Sequence, residues 1–295
     1  MLSASNREGQ RHLLEAFESG MRDLKYVDGQ NVRFDYLFAD GKFERLPALA
    51  AELLQRRPDV ILAHSTPGNL AAKKATADIP IVMVGVADPV GVGLVSSLAR
   101  PGGNITGVTN ITAQLAGKRL ELLKEILPKA SQIAVIVNPN DLNMRLQMRS
   151  AESAAHSLGI RLHPVLEVRS VDDLESAFSA AVKARAGAAI RMVDPLTSIA
   201  RTQTVGLAAK YRLPVIYAFR EDVEAGGLIA YGTDLSDQYR RAAALIDKIL
   251  KGAKPADLPV EQPTRFELVI NLKTAKVLGI KIPQSILLRA DKVIE

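Results

Sequence analysis

Polar side chains stand at the points where apolar runs of this chain stop. Ser65 and Thr66 follow Val60 to Ala63, Asp88 follows Ile79 to Val86, Asn138 follows Ile133 to Val137, and Asp194 follows Ala188 to Val193. Tyr217, with Arg220 close behind, closes the run from Leu213. Hydroxyls, amides, helix amino ends and a few carboxylates are the groups that hold both ends of a small zwitterion. On this reading Thr66 and the N–H groups after it take a carboxylate, Asp88 or Asp194 takes an ammonium, and Tyr217 or Phe219 stacks on an apolar body. Each residue also has a structural reading, since Asp-Pro and Asn-Pro steps are ordinary turn formers. The case for a site rests on their shared position, because loops on a rigid scaffold carry function disproportionately.

Catalytic chemistry is poorly supplied. The histidines, His12, His64, His156 and His163, lack metal-ligand spacing, and no metal or cofactor is expected. Neither a nucleophile elbow nor a phosphate loop is present; Gly91-Val92-Gly93 lacks the third glycine of a dinucleotide loop. His64 beside Ser65 is the one pair to weigh as base and nucleophile. Neighbouring strand residues point to opposite faces, which argues against a hydrogen bond between them. No catalytic residue is therefore assigned.

The elements that must position these residues are strands and helices in alternation. Short Val, Ile and Leu runs without polar alternation suit strands buried on both faces of a parallel sheet. Pro67 has the φ of a first helical residue, and Ser65 or Thr66 can cap the helix that continues through Leu70 to Ala77. Asp59 to Pro89 thus reads as one βαβ unit. Ligands of open parallel sheets bind where strand carboxyl ends meet helix amino ends. The pattern returns at Ala188 to Tyr217, where Leu213-Pro214-Val215-Ile216-Tyr217 matches Ile79-Pro80-Ile81-Val82-Met83. Two similar α/β lobes with a cleft are the expectation.

With 295 residues, 47% hydrophobic and 24% charged, the chain is long enough for two cores. A net charge of +6 arises from basic residues scattered among acids, so a nucleic-acid footprint is not indicated. The absence of cysteine removes disulfides and thiolate chemistry. Met1 to Asn6 lacks the basic and apolar regions of an export signal, and the chain as written is expected to stay cytoplasmic. Only Met1-Leu2 stands where an opening strand belongs. The first strand is accordingly read as a stub or as continuing upstream, with Ser3 to Ser5 as the loop after it and Ser5 in the site.

Further elements are read in order: helices over Arg11 to Leu24, Phe43 to Arg56, Leu94 to Leu98, Thr112 to Leu127 and Met144 to Leu158, and strands over Val32 to Phe38 and Arg161 to Val165. A helix starts near Val171, another spans Leu235 to Leu250, and Phe266 to Ile270 and Leu272 to Leu278 are a late strand and helix. Glycine-bounded strands at Asn104 to Thr109 and Gly226 to Gly232, with Pro259 to Thr264, are the candidate crossings between lobes.

Several segments together resemble a known family. They are Tyr26-Val27-Asp28-Gly29-Gln30-Asn31-Val32, Arg45 to Leu53, Asp88-Pro89, Arg100-Pro101-Gly102-Gly103-Asn104-Ile105-Thr106-Gly107-Val108, and Phe266 to Ala275. They are similar to the ABC transporter substrate-binding proteins related to the tryptophan-binding TrpX-like group, over nearly the whole chain. The resemblance implies a type I periplasmic-binding-protein fold, with two Rossmann-like lobes and parallel sheets joined by a three-crossing hinge. It places residues 1–107 with about 233–262 in one lobe and 108–232 with about 263–295 in the other. It implies a monomeric solute receptor without cofactor, binding an amino acid, aromatic in some relatives, or a related carboxylate, and presenting it to a membrane permease. Periplasmic or lipid-anchored placement follows if a signal lies upstream. The ligand residues would be Ser5, Ser65, Thr66, Asp88, Asn138, Asp194, Tyr217 and Arg220. A cytosolic ligand sensor and an amino-acid-processing enzyme on the same scaffold are the alternatives.

Overall fold

A computed structural model describes residues 1–295, and the chain folds as two compact units. Met1–Ile111 with Leu235–Thr264 forms the first, and Thr112–Asp234 with Arg265–Glu295 the second.

The first unit opens with β1 (Leu2–Ser3), α1 (Arg11–Asp23), β2 (Leu37–Phe38), α2 (Leu46–Gln55), β3 (Ile61–His64), α3 (Ser65–Ala75), β4 (Ile81–Val86) and β5 (Ile105–Thr109). Its strands lie in the order β2-β1-β3-β4-β5, all parallel. The β3 and β4 residues Ile61, Leu62, Ala63 and Ile81 to Val84 are almost all solvent-free, as apolar runs without alternation require.

In the second unit follow α4 (Ala116–Ile126), β6 (Gln132–Val137), α5 (Met144–Leu158), β7 (Arg161–Glu167), α6 (Asp173–Lys183), β8 (Ala188–Arg191), α7 (Pro195–Ile199), α8 (Arg201–Lys210), β9 (Val215–Tyr217), α9 (Arg220–Glu224) and β10 (Ile229–Thr233). The chain then returns to the first unit with α10 (Leu235–Leu250), whose apolar stripe packs on α1, β4 and β5. It finishes in the second with β11 (Phe266–Asn271), α11 (Leu272–Leu278), α12 (Gln284–Leu287) and β12 (Lys292–Ile294). The second sheet runs β12-β11-β10-β9-β8-β6-β7, and only the β10–β11 pairing is antiparallel. Ile133, Val135 and Val137 pack under α4 and α5, whereas Ala134 and Ile136 face the α6 and α8 side.

Counted within each unit, both sheets place their first five strands in the order second, first, third, fourth, fifth. That is a doubly wound order with its switch point between the first and third strands, where the following helices leave on opposite faces. The duplication expected from the echo of Ile79–Met83 in Leu213–Tyr217 is thus a duplication of topology.

Some elements differ from expectation for identifiable reasons. Only Leu37–Phe38 of the stretch Val32 to Phe38 enters a ladder, because β1 supplies just Leu2 and Ser3 as partners. Leu94 to Leu98 forms turns and not a helix: Leu94 and Val95 N–H both bond to Pro89 O, and Ser96 N–H bonds to Pro101 O. The glycine-bounded stretches are the fifth strands of their sheets, paired along β4 and β9, and the chain passes between units after them. Short α9, α12 and β12 lie in stretches too brief to show a period.

Candidate functional site

The switch point of the first unit lies between β1 and β3, so its polar residues are those at the carboxyl ends of these strands. Ser3 to Ser5 follows β1, His64, Ser65 and Thr66 stand where β3 becomes α3, and Asp88 follows β4. Ser65 takes a left-handed backbone, φ 68°, unusual for a residue with a side chain. Its carbonyl accepts 2.8 Å from Asn69 Nδ2, which also donates to Ala63 O at 3.0 Å. Asn69 therefore staples the strand end to the helix start. The Ser65 hydroxyl is buried and has no hydrogen-bond partner. Asp88 is half-buried, and its Oδ1 accepts from Gly91 N–H at 2.8 Å, an Asx turn that leaves Oδ2 uncommitted to that bond.

Behind these groups runs a buried polar line. Ser5 N–H donates to Ser3 Oγ at 3.1 Å, Ser3 Oγ–H to Gln10 Oε1 at 2.8 Å, and Gln10 Nε2 to Tyr239 Oη at 3.5 Å. Tyr239 Oη lies 3.0 Å from His64 Nδ1. His64 is thus paired with a tyrosine and not with Ser65, which removes the base–nucleophile geometry. Burial pulls the imidazole down to about 4, so it is neutral at pH 7.

At the switch point of the second unit, between β6 and β8, Asn138 and Asp194 meet: Asn138 Nδ2 donates to Asp194 Oδ1 at 3.3 Å. Asp194 is the N-cap of α7, taking Leu196 N–H at 2.9 Å and Thr197 N–H at 3.2 Å on Oδ1, while Thr197 Oγ1 donates to Oδ2. Arg191 donates to Thr197 Oγ1 at 2.9 Å and forms a 2.6 Å ion pair with Asp222, each 1% exposed. Tyr217 lies inside the α6 and α8 face with its ring under the Arg191 guanidinium, 5.4 Å from Cζ, and Arg220 pairs with Glu267 and Asp234. In the loop after Asn138, burial pushes the Asp141 carboxyl up to about 7, with the Asp194 charge adding to the rise and hydrogen bonds from Asn143 and Gln147 opposing it.

The eight residues picked from sequence therefore fall into two clusters, one per unit. Ser5, Ser65, Thr66 and Asp88 share the carboxyl edge of the first sheet; Asn138 and Asp194 are bonded to each other in the second, and Tyr217 and Arg220 bind different partners at the end of β9. Sequence reasoning passed over Gln10, Asn69, Arg191, Asp222 and Tyr239. Tyr239 and Gln10 gave no signal as a pair, because they come from the starts of α10 and α1, at opposite ends of the chain. Arg191 gave one: an arginine ending the apolar run Ala188 to Ile190 needs a buried partner.

Comparison with known proteins fixes the family. The family model described as ABC transporter substrate binding protein matches residues 6–294. The chain belongs to the ABC transporter substrate-binding protein family. A curated relative, the tyrosine-binding protein of Clostridioides difficile strain R20291, is 30% identical over 269 residues, covering 90% of this chain and 76% of its own length. Among solved structures, a conserved domain protein from Vibrio cholerae O1 biovar El Tor superposes with TM-score 0.92 at 30% identity, covering 99% of this chain and 97% of its own. The ABC domain from Streptococcus pneumonia in complex with L-Trp superposes with TM-score 0.89 at 27% identity and covers 99% of both chains. More distant solute-binding proteins, at 14% to 16% identity, share the fold. As a member of this family the chain is the substrate-binding component of an ABC transporter on a type I periplasmic-binding fold, and its relatives are solute-binding proteins. None of its helices is long and apolar enough to cross a membrane.

Proposed function

We propose that this substrate-binding protein takes an amino acid, aromatic in its best-fitting form, and hands the solute to a membrane permease outside the inner membrane. It works as a monomer and leaves the solute chemically unchanged. The observation that carries the reading is the Ser65 hydroxyl, buried without a partner at the amino end of the 11-residue helix α3. A polar atom withheld from water normally finds a partner, and a helix amino end favours a negatively charged one. A solute carboxylate supplies both. Thr66 and the first N–H groups of α3 extend the same cradle, and Asp88 offers an acceptor for an ammonium. Relatives whose names specify tyrosine and L-Trp support the amino-acid class.

A thermal-shift panel of amino acids, aromatic acids and short peptides tests it. A ligand at a thousand times its Kd adds about 4 kcal/mol of stability. L-Tyrosine and L-tryptophan are expected to stabilise the protein, and Ser65→Ala to weaken them by about 1–3 kcal/mol while leaving the ligand-free unfolding midpoint in place. No shift with any amino acid would end the amino-acid reading.

A further inference from the structure

The polar line behind the first switch point has a direction. At 2.8 Å the Ser3–Gln10 contact has the length of a hydroxyl donating to a carbonyl oxygen, which turns the Gln10 amide nitrogen toward Tyr239. Tyr239 Oη then accepts a hydrogen bond from Gln10 Nε2, which leaves its own O–H free to donate to His64 Nδ1, 3.0 Å away. With Nδ1 as the acceptor of that bond, the single proton of a neutral imidazole sits on Nε2. The ring has little freedom to escape this arrangement. Gly85 stands at φ 69°, and a Cβ there would lie 2.9 Å from His64 Cε1 and 3.0 Å from Nδ1. The Tyr239 ring is tilted against it as well, with centroids 5.9 Å apart. Tyr239 is fully buried, so the relay is shielded from competing water.

We propose that Ser3, Gln10 and Tyr239 form a one-way relay that holds His64 as the neutral Nε2–H tautomer, making it a specificity-determining donor at the end of β3 for an uncharged or anionic acceptor of the solute. His64 immediately precedes Ser65, whose hydroxyl has no partner, at the carboxyl end of β3. A neutral donor there favours a carboxylate or hydroxyl oxygen and offers nothing to an ammonium. Tyr239 and Gln10 act through His64 and are positioning residues. The ligand part of this inference rests on the amino-acid reading above; the tautomer does not.

Long-range proton–nitrogen correlation spectra of the protein with 15N-labelled histidine, at pH 7, separate the two. The expected result is the Nε2–H tautomer for His64 without ligand, loss of that single tautomer in Tyr239→Phe, and a moved Nε2 signal on adding L-tyrosine. Tyr239→Phe and His64→Phe are each expected to lower L-tyrosine affinity about tenfold, as for one lost hydrogen bond. A Nδ1–H tautomer, which is what a reversed relay with the Gln10 amide turned over would give, overturns the proposal, as does an imidazolium at pH 7. L-Tyrosine binding that leaves both the Nε2 signal and the affinity of His64→Phe unchanged also overturns it. If neither L-tyrosine nor L-tryptophan binds the wild type, the amino-acid reading fails, and the tautomer alone decides the relay.

Discussion

Arg191 and Asp222 show how the chemistry of single residues divides between structure and site. Both are 1% exposed and paired at 2.6 Å, and Thr197 takes a second guanidinium N–H. Removing one partner of such a pair leaves the other charge buried, at a cost of about 3–5 kcal/mol. Arg191→Met and Asp222→Leu are each expected to fall in that range by denaturant unfolding, whereas the double variant recovers most of the loss. Simple additivity in the double variant would show that the two charges do not depend on each other. Asp194 also carries structural hydrogen bonds. Read from sequence as an ammonium holder, it places its oxygens on the N–H groups of α7, the Thr197 hydroxyl and Asn138, so Asp194→Ala is expected to lose about 1 kcal/mol of stability as a lost cap does. The sequence placed Asp194 after an apolar strand, and the structure has it just beyond β8. What the sequence could not reveal is which polar residues had a partner, since Arg191 with Asp222, or Tyr239 with His64, are met only when distant segments fold together.

At the scale of elements, glycine explains what periodicity alone left open. The fifth strand of each sheet carries one, Gly107 in β5 and Gly232 in β10. A Cβ on Gly107 would lie 2.1 Å from Met83 O, and one on Gly232 would lie 2.0 Å from Ala218 O, backbone atoms of or just beyond the neighbouring strand. The strands approach closely because no side chain intervenes, which is the meaning of an isolated glycine inside a strand pattern. Gly107→Ala and Gly232→Ala are expected to cost at least about 1–3 kcal/mol, the range for forcing extra volume into a packed interior. Unfolding midpoints within error of the wild type would mean that the ladders yield without strain. These stretches were read in the sequence as glycine-bounded strands leading between lobes, and they are ladder strands after which the chain changes unit. Long amphipathic helices such as α5 and α10 were legible to the residue, because their apolar stripe is repeated over several turns. Leu94 to Leu98 was not, because so short a run cannot distinguish one helical turn from consecutive turns around Pro89.

At the scale of the whole molecule, a buried imidazole in one unit and a buried carboxyl in the other act on stability in opposite directions. His64, in the first unit, is held at about 4 against an ordinary 6.5. As pH falls below 6.5 the unfolded chain takes up the proton first, so this contribution is complete above that value and is lost on the way down to 4. Asp141, in the second unit, is raised to about 7 from 3.8. There the folded chain binds the proton first, so the contribution is complete below 3.8 and is lost as pH rises through 7. Over pH 4 to 6.5 these two slopes oppose each other. Replacing one group with a side chain that does not titrate exposes the other. Relative to the wild type, Asp141→Asn is expected to be more stable at pH 7.5 than at pH 5, and His64→Gln more stable at pH 5 than at pH 7.5, each read from denaturant midpoints across the range. Curves that stay parallel to the wild type would show that neither group titrates differently in the folded chain. Crossing curves would show two chemically independent switch points, one neutral donor and one protonated acid, in two units built on the same strand order.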